Sequence, residues 1–182
     1  MIKSAKTAPI HRLALRVREI GQLFNSMDPT PFLNKDLDPE AEAFIETWAS
    51  GYVAGSRFHI TIHLEQWPQD GDPTGMLTGA IHNHFNYKAG RTRSAFKHLL
   101  REGRTSLVIG LIFVSLCLVA ADVIGGSGFA GNSIARESLT IVGWVAMWRP
   151  LQIFLYDWWP LQRQIRRYQM LGSAHIQVIQ GK

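Results

Sequence analysis

Histidine and carboxylate side chains are the residues of this sequence with the clearest capacity for metal or acid–base chemistry. His59, His63 and Glu65 alternate along one predicted strand, and His82 and His84 follow. Histidine with carboxylate is a common ligand set for zinc and other metals. His82 and His84 are two positions apart, so a helix points them in different directions. A solvated strand face and a helix surface explain these histidines more simply. His59 and His63 are weak metal candidates, and we expect no cofactor.

A group of acidic residues near the N-terminal third is a second candidate for chemistry. Its members are Asp28, Asp36, Asp38, Glu40 and Glu42. Helix capping and solvent exposure explain these side chains more simply than catalysis does. The glycine-rich run GGSGFAG has no lysine to cradle a phosphate. No serine lies in a GxSxG elbow. The sequence therefore predicts no catalytic residue and favours a non-enzymatic protein.

Three alternating segments and one helix would position these side chains. The clearest is RFHITIHLEQW from Arg57, whose apolar residues all fall on one face of a strand. Residues 12–20 alternate in the same way, although an amphipathic helix over 11–24 is an open alternative, and AHIQVIQ (174–180) suggests a third strand. Asp38 before Pro39 predicts a helix start. If the first strand is real, strand–helix–strand makes a right-handed parallel crossover.

The longest apolar stretch of the chain runs from Thr105 to Gly125 and has no charged residue before Asp122. A helix of about 20 residues crosses a hydrocarbon core of about 30 Å. A buried core helix of a soluble protein is the alternative, but a second apolar stretch follows over 138–160. We therefore predict an α+β cytoplasmic domain, a short sheet with packed helices, joined to a two-helix transmembrane hairpin.

Basic residues flank the two apolar stretches on the same side. Since lysine and arginine accumulate in cytoplasmic segments, we predict an inner-membrane protein with both termini in the cytoplasm. Anionic lipid headgroups are the expected partners of this basic set, rather than nucleic acid, because exposed aromatic residues do not interleave with it. The predicted headgroup contacts are Arg91, Arg93, Lys97, Arg101, Arg104, Arg163, Arg166 and Arg167.

Arg149 interrupts the second apolar stretch. With span ends at 138 and 159 it falls near mid-depth, where an arginine costs about 2.5–3.5 kcal/mol. It is either paired inside an interface or wet groove, or it snorkels to the cytoplasmic side past a kink at Pro150. Asp157 falls level with Arg101 and Arg104, and we expect it to pair with one of them.

Small residues share one face of the first predicted span. Such a stripe lets two helices approach closely. It serves either the packing of this hairpin or a homo-oligomer seam, and it comprises Ser106, Gly110, Cys117 and Ala121, with Gly143 opposite.

Four motifs carry a family resemblance: SMDPTPF (26–32), DLDPEAEAFI (36–45), GRTSLVIGL (103–111) and GWVAMWRP…FLYDWWP (143–160). Together they resemble an uncharacterised family of bacterial two-span inner-membrane proteins. The resemblance covers most of the chain. It implies a cytoplasmic N-terminal part and two membrane helices, and it implies no chemistry.

The sequence predicts three segments and three functions to compare. The segments are a cytoplasmic domain over 1–104, a transmembrane hairpin over 105–160 with spans at 105–124 and 138–159, and a cytoplasmic basic helix with a possible strand over 161–182. The leading function is a non-enzymatic interaction or assembly platform in an oligomer or membrane-protein complex. The alternatives are a small oligomeric channel or transporter component that uses Arg149, and a membrane-surface metal-dependent enzyme.

Overall fold

The computed structural model describes residues 9–31, 33, 35–69, 71–126 and 132–181. They fall into two compact units. Unit 1 lies within Met1–Thr92 and Arg163–Lys182, and unit 2 is Arg93–Gln162. Two long helical stretches, Thr74–Gly125 and Ser133–Leu171, are long and apolar enough to span a membrane.

Unit 1 contains a three-stranded parallel sheet with the strand order β1-β2-β3. The strands are β1 (Ile10–Val17), β2 (Arg57–Leu64) and β3 (His175–Gln180). The strand alternative for the first alternating segment is the one observed. In β2, Phe58, Ile60, Ile62 and Leu64 are buried, as their alternation predicted. The predicted short sheet with packed helices is therefore confirmed.

Helices cover one face of this sheet. A 3-10 turn (Ile20–Leu23) and helix α1 (Pro39–Ser50) connect β1 to β2. Asp38 caps α1, because its Oδ1 accepts hydrogen bonds from the backbone N–H groups of Glu40 (2.9 Å) and Ala41 (3.3 Å). The start of helix α2 (Thr74–Gly125) and the end of helix α5 (Trp158–Leu171) also contribute to the core. Leu77, Ile81, Phe85 and Leu171 are fully buried in it.

The helices of unit 2 contact one another at glycines. Helix α3 (Asn132–Ala146) is followed by a turn, helix α4 (Trp148–Gln152) and a π-helical segment (Ile153–Asp157). A Cβ on Gly103 would lie 2.8 Å from Ile153 Cγ2, and one on Gly143 would lie 3.3 Å from Cys117 Cβ. One on Gly110 would lie 3.1 Å from Met147 Sδ. A side chain at any of these positions would make its neighbours shift, so glycine favours close packing of the helices here.

Candidate functional site

The most enclosed polar cluster of unit 1 is centred on His84, whose side chain is 3% exposed. Its Nδ1 lies 3.0 Å from Asp36 Oδ1, and its Nε2 lies 3.1 Å from Glu42 Oε2. Lys88 lies one turn further along α2 and contacts Glu42 and, at 2.8 Å, Glu46. We call these five residues the His84 cluster. It links the loop before α1, helix α1 and helix α2.

Burial disfavours the charged forms of two members of the His84 cluster, His84 and Lys88. It lowers the pKa of His84, and the Asp36 carboxylate opposes this shift only in part. Burial also lowers the pKa of Lys88, whose Nζ lies 5.2 Å from the centre of the Tyr168 ring. Both ring nitrogens of His84 face carboxylates, so neither is free to accept a proton from a substrate. The arrangement is that of a polar cross-link between elements.

A cavity of about 360 Å³ adjoins the His84 cluster. Asp28 shapes one side of it, because its carboxylate accepts the backbone N–H groups of Asp36 (2.7 Å) and Thr30 (3.0 Å). These bonds lower the pKa of Asp28. Two of the five carboxylates assigned above to capping and surface have a different role. Asp38 caps α1, whereas Asp36 and Glu42 meet His84, and no local sequence pattern indicated this contact.

The candidate metal ligands His59 and His63 lie on the other face of the sheet. Among the described residues, no three histidine, cysteine or acidic side chains are placed to share a metal ion. His82 and His84 point to different neighbours, as their spacing predicted: His82 Nε2 lies 2.8 Å from the carbonyl oxygen of Ala174.

That second sheet face, which we call the open face, is basic. In one row Arg12 pairs with His59 and His59 with His175, and in another Arg16 pairs with His63. Arg12 and Arg16 are exposed, and neither has an ion-pair partner in the part of the chain that the structure describes. A parallel sheet is normally covered on both faces, so a charged face that the described helices leave uncovered marks a candidate interaction surface.

Arg149 pairs with two carboxylates in unit 2. Its Nη2 lies 2.9 Å from Glu102 Oε1 and its Nη1 lies 3.3 Å from Asp157 Oδ2, with the arginine side chain 50% exposed. Asp157 therefore pairs with Arg149 and not, as the sequence predicted, with Arg101 or Arg104. The reason is the helix irregularity after Ala146, which brings positions 149 and 157 together. Glu102 precedes the first predicted span, so Arg149 does not lie beside the middle of that span.

The remaining predicted site residues occupy two environments. Gly110, Cys117, Ala121 and Gly143 are buried and Ser106 is half-buried in unit 2. The predicted headgroup residues are exposed except Arg167, which is half-buried; they are Arg91, Arg93, Lys97, Arg101, Arg104, Arg163, Arg166 and Arg167.

Comparison of the chain with protein-family models, with curated proteins and with solved structures finds no match in any of the three. The family resemblance therefore stays a prediction.

Proposed function

We propose that this chain crosses a bacterial inner membrane twice as a helical hairpin and presents unit 1 to the cytoplasm as a docking platform. Support for the hairpin comes from the order of the helix contacts. Gly103 lies against Ile153, Gly110 against Met147 and Gly143 against Cys117, so later positions in α2 meet earlier positions in the second stretch. Apolar side chains on the outside of these helices are exposed, and lipid would cover them.

The position of β3 in the sheet supports an even number of crossings. β2 precedes the first apolar stretch, β3 follows the second, and the two strands pair over residues 59–64 and 175–180. Both strands must lie in the same aqueous compartment for the sheet to form. The basic residues that flank the stretches favour the cytoplasm as that compartment.

The uncovered basic face of the sheet is the observation that carries the platform function. An acidic protein surface fits it best by charge. A second copy of the chain would place arginines against arginines there, so the predicted homo-oligomer must use another surface. Among the described residues of the open face, none is a tryptophan, tyrosine or phenylalanine that could anchor an apolar interface core. We therefore expect a moderate affinity that decreases with salt.

Co-purification from native membranes in a mild detergent tests this proposal. We compare the unmodified chain with Arg12→Gln/Arg16→Gln, and with Lys35→Gln/Arg91→Gln as a control that loses the same charge away from the open face. We expect the unmodified and control chains to retain a common acidic protein at fixed stoichiometry, and the open-face variant to lose it. A monomeric chain without a co-purifying protein, or a partner that all three chains retain, contradicts the proposal.

The two alternative functions have less support. A guanidinium that already pairs with Glu102 and Asp157 provides little free positive charge for an anion path. A metal-dependent enzyme needs a set of ligands, and His59 and His63 belong to no group of three metal-binding side chains among the described residues.

A further inference from the structure

A basic cavity of about 400 Å³ lies in unit 1, at the edge of the sheet where β2 and β3 begin. Cavities of this size are typical of small-ligand sites. We call it the basic cavity, and it is lined by Ser56, Arg57, Phe58, His59, Met170, Ser173 and His175. No function described above uses it.

The basic cavity contains one guanidinium and two imidazole side chains and no acidic side chain among its lining residues. The rings of His59 and His175 have centroids 4.9 Å apart. Arg57 begins β2 beside them. None of these three side chains has an ion-pair or hydrogen-bond partner among the residues that the structure describes, and no carboxylate lines the cavity. An anion would supply the missing partner for all three.

The two serine hydroxyl groups of the cavity are not available as donors to a ligand. Ser56 Oγ donates to the carbonyl oxygen of Val53 (2.9 Å), and Ser173 Oγ donates to that of Gln169 (2.9 Å). Both hydroxyl protons therefore already form hydrogen bonds within the protein. Arg57, His59 and His175 are the side chains that remain as donors to a ligand. A site with these donors favours a phosphate group over a neutral polar molecule, because a guanidinium binds phosphate oxygens in a bidentate manner.

A second cavity of about 280 Å³ shares Met170 and Ser173 with the first and adds Arg166 and Gln169. The combined space exceeds what one phosphate fills. It leaves room for an organic group attached to the phosphate, with Arg166 near the far end.

We propose that the basic cavity binds a phosphate monoester, supplied either as a soluble metabolite or as a lipid headgroup. Arg57 binds the phosphate oxygens, and His59 and His175 donate to them. The cavity shares His59 and His175 with the open face. Neither Arg12 nor Arg16 lines it, so Arg57 and the two arginines of the docking proposal can be changed separately.

Histidine ring NMR signals of the full chain in nanodiscs provide the test. One arm adds glycerol 3-phosphate to phosphatidylcholine nanodiscs, and the other compares phosphatidylcholine with phosphatidic acid nanodiscs. We expect saturable shifts of the His59 and His175 signals in at least one arm, with His63 unmoved. Binding should weaken about 10-fold or more in Arg57→Gln, recover in part in Arg57→Lys, and remain unchanged in Arg16→Gln.

The two arms identify the source of the phosphate. Shifts with glycerol 3-phosphate indicate a soluble ligand, and shifts with phosphatidic acid alone indicate a headgroup. The proposal is overturned if neither arm moves the two signals, if KCl at matched ionic strength moves them equally, or if Arg57→Gln binds as the unmodified chain does.

Discussion

His84 has two carboxylate contacts but, when neutral, one ring proton. The backbone N–H of Leu37 approaches Nδ1 at 3.4 Å, which favours Nδ1 as an acceptor and places the proton on Nε2, toward Glu42. Adding a second proton would satisfy Asp36, yet burial opposes the charge and lowers the pKa of His84. The fold therefore favours the neutral form of the His84 ring over the protonated form.

We predict that His84 makes the fold acid-sensitive. Its pKa is lowered in the folded chain, so below about pH 6.5, the ordinary value for histidine, the unfolded chain binds more protons. The free energy of unfolding must then decrease as the pH falls from about 8 to about 5. His84→Gln should be less stable than the unmodified chain at pH 8, with a difference that shrinks toward pH 5. Chemical denaturation of the detergent-solubilised chain across this range measures both slopes.

The exposed His98 provides the matched control. His98→Gln should keep the pH slope of the unmodified chain, because the residue has no contact in the His84 cluster. If His84→Gln and the unmodified chain have parallel pH profiles, folding does not shift the pKa of His84 and the burial argument is wrong. A difference that grows toward pH 5 would instead mean that Asp36 and Glu42 hold the proton on His84.

Contacts between residues that are far apart in the sequence were the hardest feature of the structure to predict. Asp36 and Glu42 were assigned to capping and solvent, and they precede His84 by more than 40 positions. No local spacing relates residues so far apart; the parallel crossover brings them together. Arg149 and Glu102 are also far apart in sequence, and they meet because two helices of unit 2 pack together.

Secondary-structure elements were predictable wherever a local pattern determines them. The alternation of β2, the Asp38–Pro39 helix start and the apolar helix over 105–124 all follow from short-range physics. The irregular backbone after Ala146 does not. Pro150 indicated a kink, but the π-helical segment over Ile153–Asp157 depends on packing that sequence spacing does not encode.

Close packing of the unit 2 helices leads to a prediction at Gly143. A leucine there would meet the Cβ of Cys117 and the backbone of Val114, so the helices must separate. We expect Gly143→Leu to destabilise unit 2 by about 1–3 kcal/mol. Unfolding in detergent, followed by the fluorescence of the neighbouring tryptophans, measures the loss. Gly90→Leu is the control, since a side chain at Gly90 meets nothing within 4 Å; equal stability of the two variants contradicts close packing.

The chain as a whole is constrained by the fact that its last strand completes the sheet begun by its first. β3 pairs with β2, and Tyr168 and Leu171 of α5 are buried in the same core. Unit 1 therefore cannot be complete until everything between β2 and β3 has been synthesised. If the two apolar stretches enter a bilayer, either both cross it or neither does.

Cysteine accessibility in spheroplasts tests this constraint directly. In a Cys117→Ala background, single changes Val53→Cys, Ser173→Cys and Ser133→Cys report on the two parts of unit 1 and on the segment that joins the apolar stretches. We expect a membrane-impermeant maleimide to label Ser133→Cys in intact spheroplasts. Val53→Cys and Ser173→Cys should react only after permeabilisation, and to the same extent, because one sheet holds both parts on one side. Opposite accessibility of these two positions would be incompatible with pairing of β2 and β3, and labelling of all three in intact spheroplasts would place unit 1 outside the cytoplasm.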